Sequence, residues 1–166
     1  MNRLSLMSLV AGVSALGAVS GTRGQTPTPE DVVVVLRTAV AHTRAEFAPG
    51  RLFIDLTYEP LNPPEAGLAT PLAEALGASV ASMAEVFGCD RAPTGNTTCS
   101  GDGVLVIVSR PTIQDADAVV GVHYMFLTPK GRLATVSIKL QLVRSSGAWR
   151  VVREIEREYT LAGKRG

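Results

Sequence analysis

The chain has 166 residues, enough for one domain with a sizeable core. Hydrophobic residues make up 46% and charged residues 19%, the composition of a folded rather than a disordered chain. Lys and Arg number 16 against 15 Asp and Glu, so the formal net charge is +1, and the concentrated basic surface that nucleic acid or an anionic membrane needs is missing.

Met1-Asn2-Arg3 is a short positive start, followed by an apolar and small-residue run over residues 4–19. Ala18 and Ser20 then form a small-x-small site before polar residues. This pattern predicts a secretory signal peptide over residues 1–20, a linker over 21–28 and one domain over 29–166. The apolar run is short and rich in Gly, Ala and Ser for a membrane span, so no stable span is expected after cleavage. The protein is expected outside the cytoplasm, periplasmic or extracellular. Cys89 and Cys99 are the only cysteines, in a loop-like stretch with the glycosylation-type sequence Asn96-Thr97-Thr98 between them. An even count in an exported chain reads as a disulfide, and closing so short a loop contributes about 2–3 kcal/mol. The only histidines, His42 and His123, lie far from the cysteines in sequence, which leaves no metal-ligand set.

Thr28-Pro29-Glu30-Asp31 carries the signals of a helix start: a capping hydroxyl, a proline suited to the first position and two acids at the positive end of the dipole. Val32, Val35, Leu36, Ala39, Val40 and Phe47 follow at helical spacing and outweigh the β-branched run 32–35. Residues 52–58 read as a strand and 70–76 as a short helix stopped by Gly77. Ser82 and Glu85 have capping-box spacing for another helix of one or two turns. The apolar run 104–108 suits a strand buried on both faces, and 118–127 forms the next strand.

The most legible stretch is residues 133–155. Ala134, Val136, Ile138, Leu140 and Leu142 alternate with Thr135, Ser137, Lys139 and Gln141, one face on a core and one in water. A Ser/Gly turn and a second run from Trp149 complete an antiparallel hairpin. The expected fold is therefore α+β: an N-terminal helix and short helices on a mainly antiparallel sheet of four to five strands, ending in a meander.

The order of a helix, a lone strand, further helical turns and a meander closing in Ser145-Ser146-Gly147-Ala148-Trp149-Arg150-Val151-Val152 resembles the nuclear-transport-factor-two-like superfamily over residues 30–157. The resemblance implies a cone-like α+β fold with a pocket between curved sheet and helices. Members include isomerases, hydrolases and cyclases, and many have no known activity; no catalytic residue carries over. The chain also looks like small exported bacterial proteins that end in a Trp-containing hairpin.

Chemistry-bearing residues are few and scattered. His123, inside an apolar strand, reads as a general base or ligand-orienting group, or as a side chain on the solvent face. Asp55 reads as its partner or an arginine's, or as a carboxylate satisfied locally. Tyr124 could share acid–base work. Arg153 shares a face with Trp149, Val151 and Ile155 if the strand is regular, and could meet an anionic ligand there; a bulge removes that need. Trp149 is a core anchor or a pocket wall. Nucleophile-elbow, phosphate-loop, dinucleotide and His-Glu-x-x-His patterns are all missing, and no cofactor or metal is expected. The expected function is a non-enzymatic module for a small molecule or a protein of unknown identity, with oligomeric state open. A pocket enzyme of isomerase or hydrolase type is the alternative.

Overall fold

A computed structural model of the chain describes residues 27–47, 51–88, 99 and 101–161. The expected signal peptide, most of the expected linker, Cys89 and residues 90–98 lie outside the described residues. Three helices, α1 (Pro29–Phe47), α2 (Ala69–Leu76) and α3 (Met83–Phe87), accompany seven strands. The strands are β1 (Leu52–Asp55), β2 (Ser79–Val80), β3 (Val104–Val108), β4 (Thr112–Gln114), β5 (Asp117–Leu127), β6 (Leu133–Ser145) and β7 (Ala148–Leu161). They form one sheet in the order β2-β1-β3-β5-β6-β7, with β4 also beside β5. The chain is α+β and mostly antiparallel, as its sequence pattern implies, and among the described residues two short strands, β2 and β4, extend the expected four to five to seven.

The additional strands have weak or absent local signals. β2 is two residues long and β4 three, too short for any periodicity. β1 pairs parallel with both β2 and β3. Parallel pairing needs a crossover, supplied between β1 and β2 by α2 and between β1 and β3 by the longer stretch that includes α2, β2 and α3.

Local physics accounts for the helices. Thr28 accepts from the Asp31 backbone N–H at 3.2 Å, and its own N–H donates back to the Asp31 carboxylate at 3.3 Å, so the first turn is closed before the β-branched run begins. The Thr28 hydroxyl, donating to the Asp31 carboxylate at 2.8 Å, and then the Thr28 N–H hold that carboxyl below its usual range. Val35, Leu36, Ala39, Val40 and Thr43 then form the buried stripe of α1. α3 carries the complete Ser82–Glu85 capping box, and Gly77 ends α2 in the left-handed conformation.

Two cores result, one on each face of the sheet. On the first face, α1 and α2 cover Ile54, Val106, Val108, Val120, Val122, Tyr124, Val136, Ile138, Leu140, Leu142 and Trp149. On the second, α3 packs Met83, Val86 and Phe87 with Cys99 over Leu105, Ile107, Met125 and Leu133. β3 is thus buried on both faces. β6 alternates as its sequence predicts, with Ile138 1% exposed and Lys139 exposed. Among the described residues no helix is long and apolar enough to cross a membrane.

The hairpin β6–β7 turns at Ser146 and Gly147, both at positive φ (52° and 80°), the pair of left-handed residues a tight two-residue connection needs. β7 runs on to Leu161, beyond the expected 155. Its pairing with β6 shifts register twice, between Lys139 and Leu140 and between Gln141 and Leu142. Each shift inserts one extra residue into β7, at Val152 and at Ile155.

Candidate functional site

Face assignments follow from register, because side chains alternate along each strand and paired residues share a face. Asp55 pairs with Ile107, Ile107 with His123, His123 with Ser137 and Ser137 with Glu158. These five residues form a lateral row on the second face. The core under α3 covers one end of that face, and the portion over β5, β6 and β7 stays open.

There the surface holds a cleft of about 420 Å³, lined among others by Leu61, Ser109, Arg110, Gly121, His123 and Ser137, with Lys139, Glu156 and Glu158 along β6 and β7. Its origin is local. β3 and β4 run along the same side of β5 with a break between them. Pro111 has no N–H to donate, and the Arg110 N–H turns away to the Asn62 carbonyl at 2.8 Å. The Gly121 N–H is met by the Ser109 hydroxyl at 2.8 Å, while the Ser109 N–H donates to the Gly121 carbonyl at 2.9 Å. A side chain takes over a ladder bond, and the strand detaches without leaving a buried polar group unpaired.

Gly121 also makes room. A Cβ there would stand 2.9 Å from Ser109 Oγ and 3.1 Å from His123 Nε2, so only glycine lets the imidazole lie along the sheet beside Ser109. His123 Nδ1 is hydrogen-bonded to Ser137 Oγ at 2.9 Å, which orients the ring. Desolvation of the half-buried imidazole lowers its pKa below the ordinary histidine value, so the ring is neutral at pH 7. A neutral imidazole has one donor and one acceptor nitrogen. With Nδ1 committed to Ser137, Nε2 is left toward the cleft. Lys139 and Arg110 against Glu156 and Glu158 balance the formal charge of the lining.

The remaining sequence candidates are elsewhere. Tyr124 lies on the first face, fully buried; its hydroxyl is 2.7 Å from Thr43 Oγ1 and donates to the Val40 carbonyl at 3.1 Å. Its pKa is pushed up to about 12, chiefly by desolvation. Asp55 is buried on the second face, but Ile107 separates it from His123, and its Oδ1 accepts from the Thr57 N–H and hydroxyl at 2.7 and 2.6 Å. Trp149 is 7% exposed in the first-face core. Arg153 does not share its face: the extra residue at Val152 sets Arg153 opposite Gln141 on the second face, exposed, with Nε donating to Gln141 Oε1 at 2.8 Å. No free cysteine occurs among the described residues; Cys99 is buried in the α3 core, and its assigned partner Cys89 is outside them.

Of the sequence candidates, only His123 lines the cleft. Ser109, Gly121, Ser137, Lys139 and Glu158 were not legible as a group, because register joins them. A lone glycine inside a regular strand pattern was the one available signal. No group of three or more His, Cys, Asp or Glu suited to a metal is found among the described residues. Comparison with family models, curated proteins and solved structures returns no match.

Proposed function

We propose that the protein is an exported module that binds a small polar ligand, without catalysis, in the cleft at His123. The observation that carries this is the seated imidazole: Ser137 fixes one nitrogen, Gly121 clears its path, and the other nitrogen is left toward the cleft. The lining offers hydroxyls, one neutral imidazole and balanced charges, which favours a ligand with both donor and acceptor groups over a simple ion.

Acid–base catalysis has less support. Tyr124 is on the opposite face, Ile107 stands between Asp55 and His123, and among the described residues nothing hydrogen-bonds His123 Nε2. A Ser–His pair without a third orienting group falls short of an activated nucleophile. Export rests on the N-terminal pattern and the cysteine pair, and membership of the nuclear-transport-factor-two-like superfamily on the order of elements and the closing Trp149 strand. The space that likeness reserves for a pocket, between sheet and helices, is occupied here by the first-face core.

Native mass spectrometry of protein purified from its own host tests the whole reading. The expected species lacks the N-terminal segment, is two hydrogens lighter than its reduced form, and carries a non-covalent small molecule. Gly121→Val, which fills the floor of the cleft, loses that molecule. An intact N-terminus contradicts export. A wild-type chain with no adduct, whose His123 ring signals ignore host metabolite extract, contradicts binding.

A further inference from the structure

β7 is the last strand of the sheet, and among the described residues no strand pairs with its outer edge. Val152, Ile155 and Tyr159, three of the four exposed large hydrophobic residues among those described, lie on it at 56%, 43% and 61% exposure. Natural sheets blunt such edges with charges and bulges, and β7 has both. The order of the charges distinguishes a merely solvated edge from one made to pair.

Register fixes that order. Opposite β6, Glu154 pairs with Leu140, Glu156 with Lys139, Arg157 with Ile138 and Glu158 with Ser137, Ile155 being the extra residue. Glu154, Arg157 and Tyr159 therefore belong to the first face, and Arg153, Glu156 and Glu158 to the second. An antiparallel pair of identical strands places the two-fold axis on one position and matches residues symmetrically about it. With the axis at Ile155–Glu156, Glu154 meets Arg157 of the other copy on the first face, and Arg153 meets Glu158 on the second. Val152 then meets Tyr159, and at the centre Ile155 of each copy lies opposite Glu156 of the other. The exposed Val152 and Tyr159 acquire apolar partners, two Arg153–Glu158 pairs form, and Glu154 and Arg157, already ion-paired within each chain, come to lie opposite their counterparts. Each Glu156 carboxylate is flanked by the Lys139 of its own chain.

We propose that the outer edge of β7 pairs antiparallel with β7 of a second copy of this chain, about a two-fold axis at Ile155–Glu156. Without the bulge at Ile155, Glu154 and Arg157 would project from opposite faces and could not meet across the axis. The irregularity is thus what makes the edge self-complementary. Glu158 also lines the cleft, so Arg153 of the second copy stands at its rim.

Sedimentation velocity of the purified protein over a concentration series reads the outcome. The wild type sediments as a reversible dimer that weakens as salt rises. Arg153→Glu turns two attractive pairs per dimer repulsive and weakens association about tenfold or more. Arg153→Glu with Glu158→Arg restores it. An axis on Glu154 would instead set Arg150 against Glu158 and Arg153 against Ile155, and the double variant would not recover. Val152→Lys, at an exposed bulge, is a second disruption independent of that pair and also gives a monomer. A wild type monomeric at millimolar concentration, a dimer indifferent to Arg153→Glu, or a double variant that stays monomeric overturns the proposal.

Discussion

Replacing Tyr124 by Phe removes one oxygen from the centre of the first-face core and little else. The ring keeps its stack on Phe47, with centroids 5.1 Å apart. The lost hydroxyl has two neighbours, Thr43 Oγ1 at 2.7 Å and the Val40 carbonyl at 3.1 Å. Thr43 can still donate to the Ala39 carbonyl at 3.2 Å, so the variant orphans no donor. The cost is then the net worth of one to two buried hydrogen bonds, about 1–2 kcal/mol. Thr43→Val leaves Tyr124 its bond to Val40 and costs about 1 kcal/mol on the same basis. In a double-mutant cycle the pair should show a coupling of about 0.5–1 kcal/mol, read as shifts of the urea midpoint at constant slope. Alkaline pH supplies a second readout. The phenol ionises at about 12 in the folded protein against an ordinary 10.0, because desolvation disfavours the anion. Stability is therefore fully present below pH 10 and is lost as pH rises toward 12, and Tyr124→Phe abolishes that loss. A neutral Tyr124→Phe, no coupling and an unchanged alkaline limb would together refute the view that this hydroxyl pair pins α1 to β5.

Other perturbations discriminate between the two faces. Ile138→Lys buries a charge in the first-face core and should exceed the total stability of about 5–15 kcal/mol, giving an unfolded chain by circular dichroism. Lys139→Ile one residue on should change stability by less than about 0.5 kcal/mol and chiefly lower solubility; equal losses would mean that β6 has no solvent face. Gly121→Ala should cost about 1–3 kcal/mol in thermal melts by crowding Ser109 and His123, and Ser109→Ala in the same background should relieve part of it. The His123 pKa is lowered by burial, so its contribution is intact above the ordinary value of 6.5 and is lost as pH falls below it toward the folded value. His123→Gln should flatten the acid limb of the stability curve between pH 7 and 5; an unchanged slope would locate the acid sensitivity elsewhere.

Elements whose identity is local were legible in the sequence. Thr28 caps α1 as a capping hydroxyl there implies, and Ser82 and Glu85 cap α3 as their spacing predicts. Alternation in β6 assigns its two faces correctly, because a period of two is imposed by every pleated strand. What failed to show was relational. The parallel partners of β1 depend on a strand far along the chain. The face of Arg153 depends on whether its strand is regular, and the bulge at Val152, which inverts the parity there, has no local sequence signal. His123 stood out as a residue, but its neighbours Ser109 and Ser137 are ordinary polar residues until pairing brings them beside it.

The parallel placement of β1 bears on how the chain reaches its native state. Leu52 pairs with Val104, so β1 has no partner on that side until the whole middle of the chain has been made. β5, β6 and β7, by contrast, close on near neighbours through tight turns. Loop-closure entropy favours the local pairings, so the C-terminal meander should assemble first and α1 with β1 should dock onto it last. For a chain that emerges N-terminus first, the apolar stripe of α1 is then the part that waits longest for cover. Aggregation should accordingly begin in the N-terminal half, although the strongest strand signals are all in the C-terminal half.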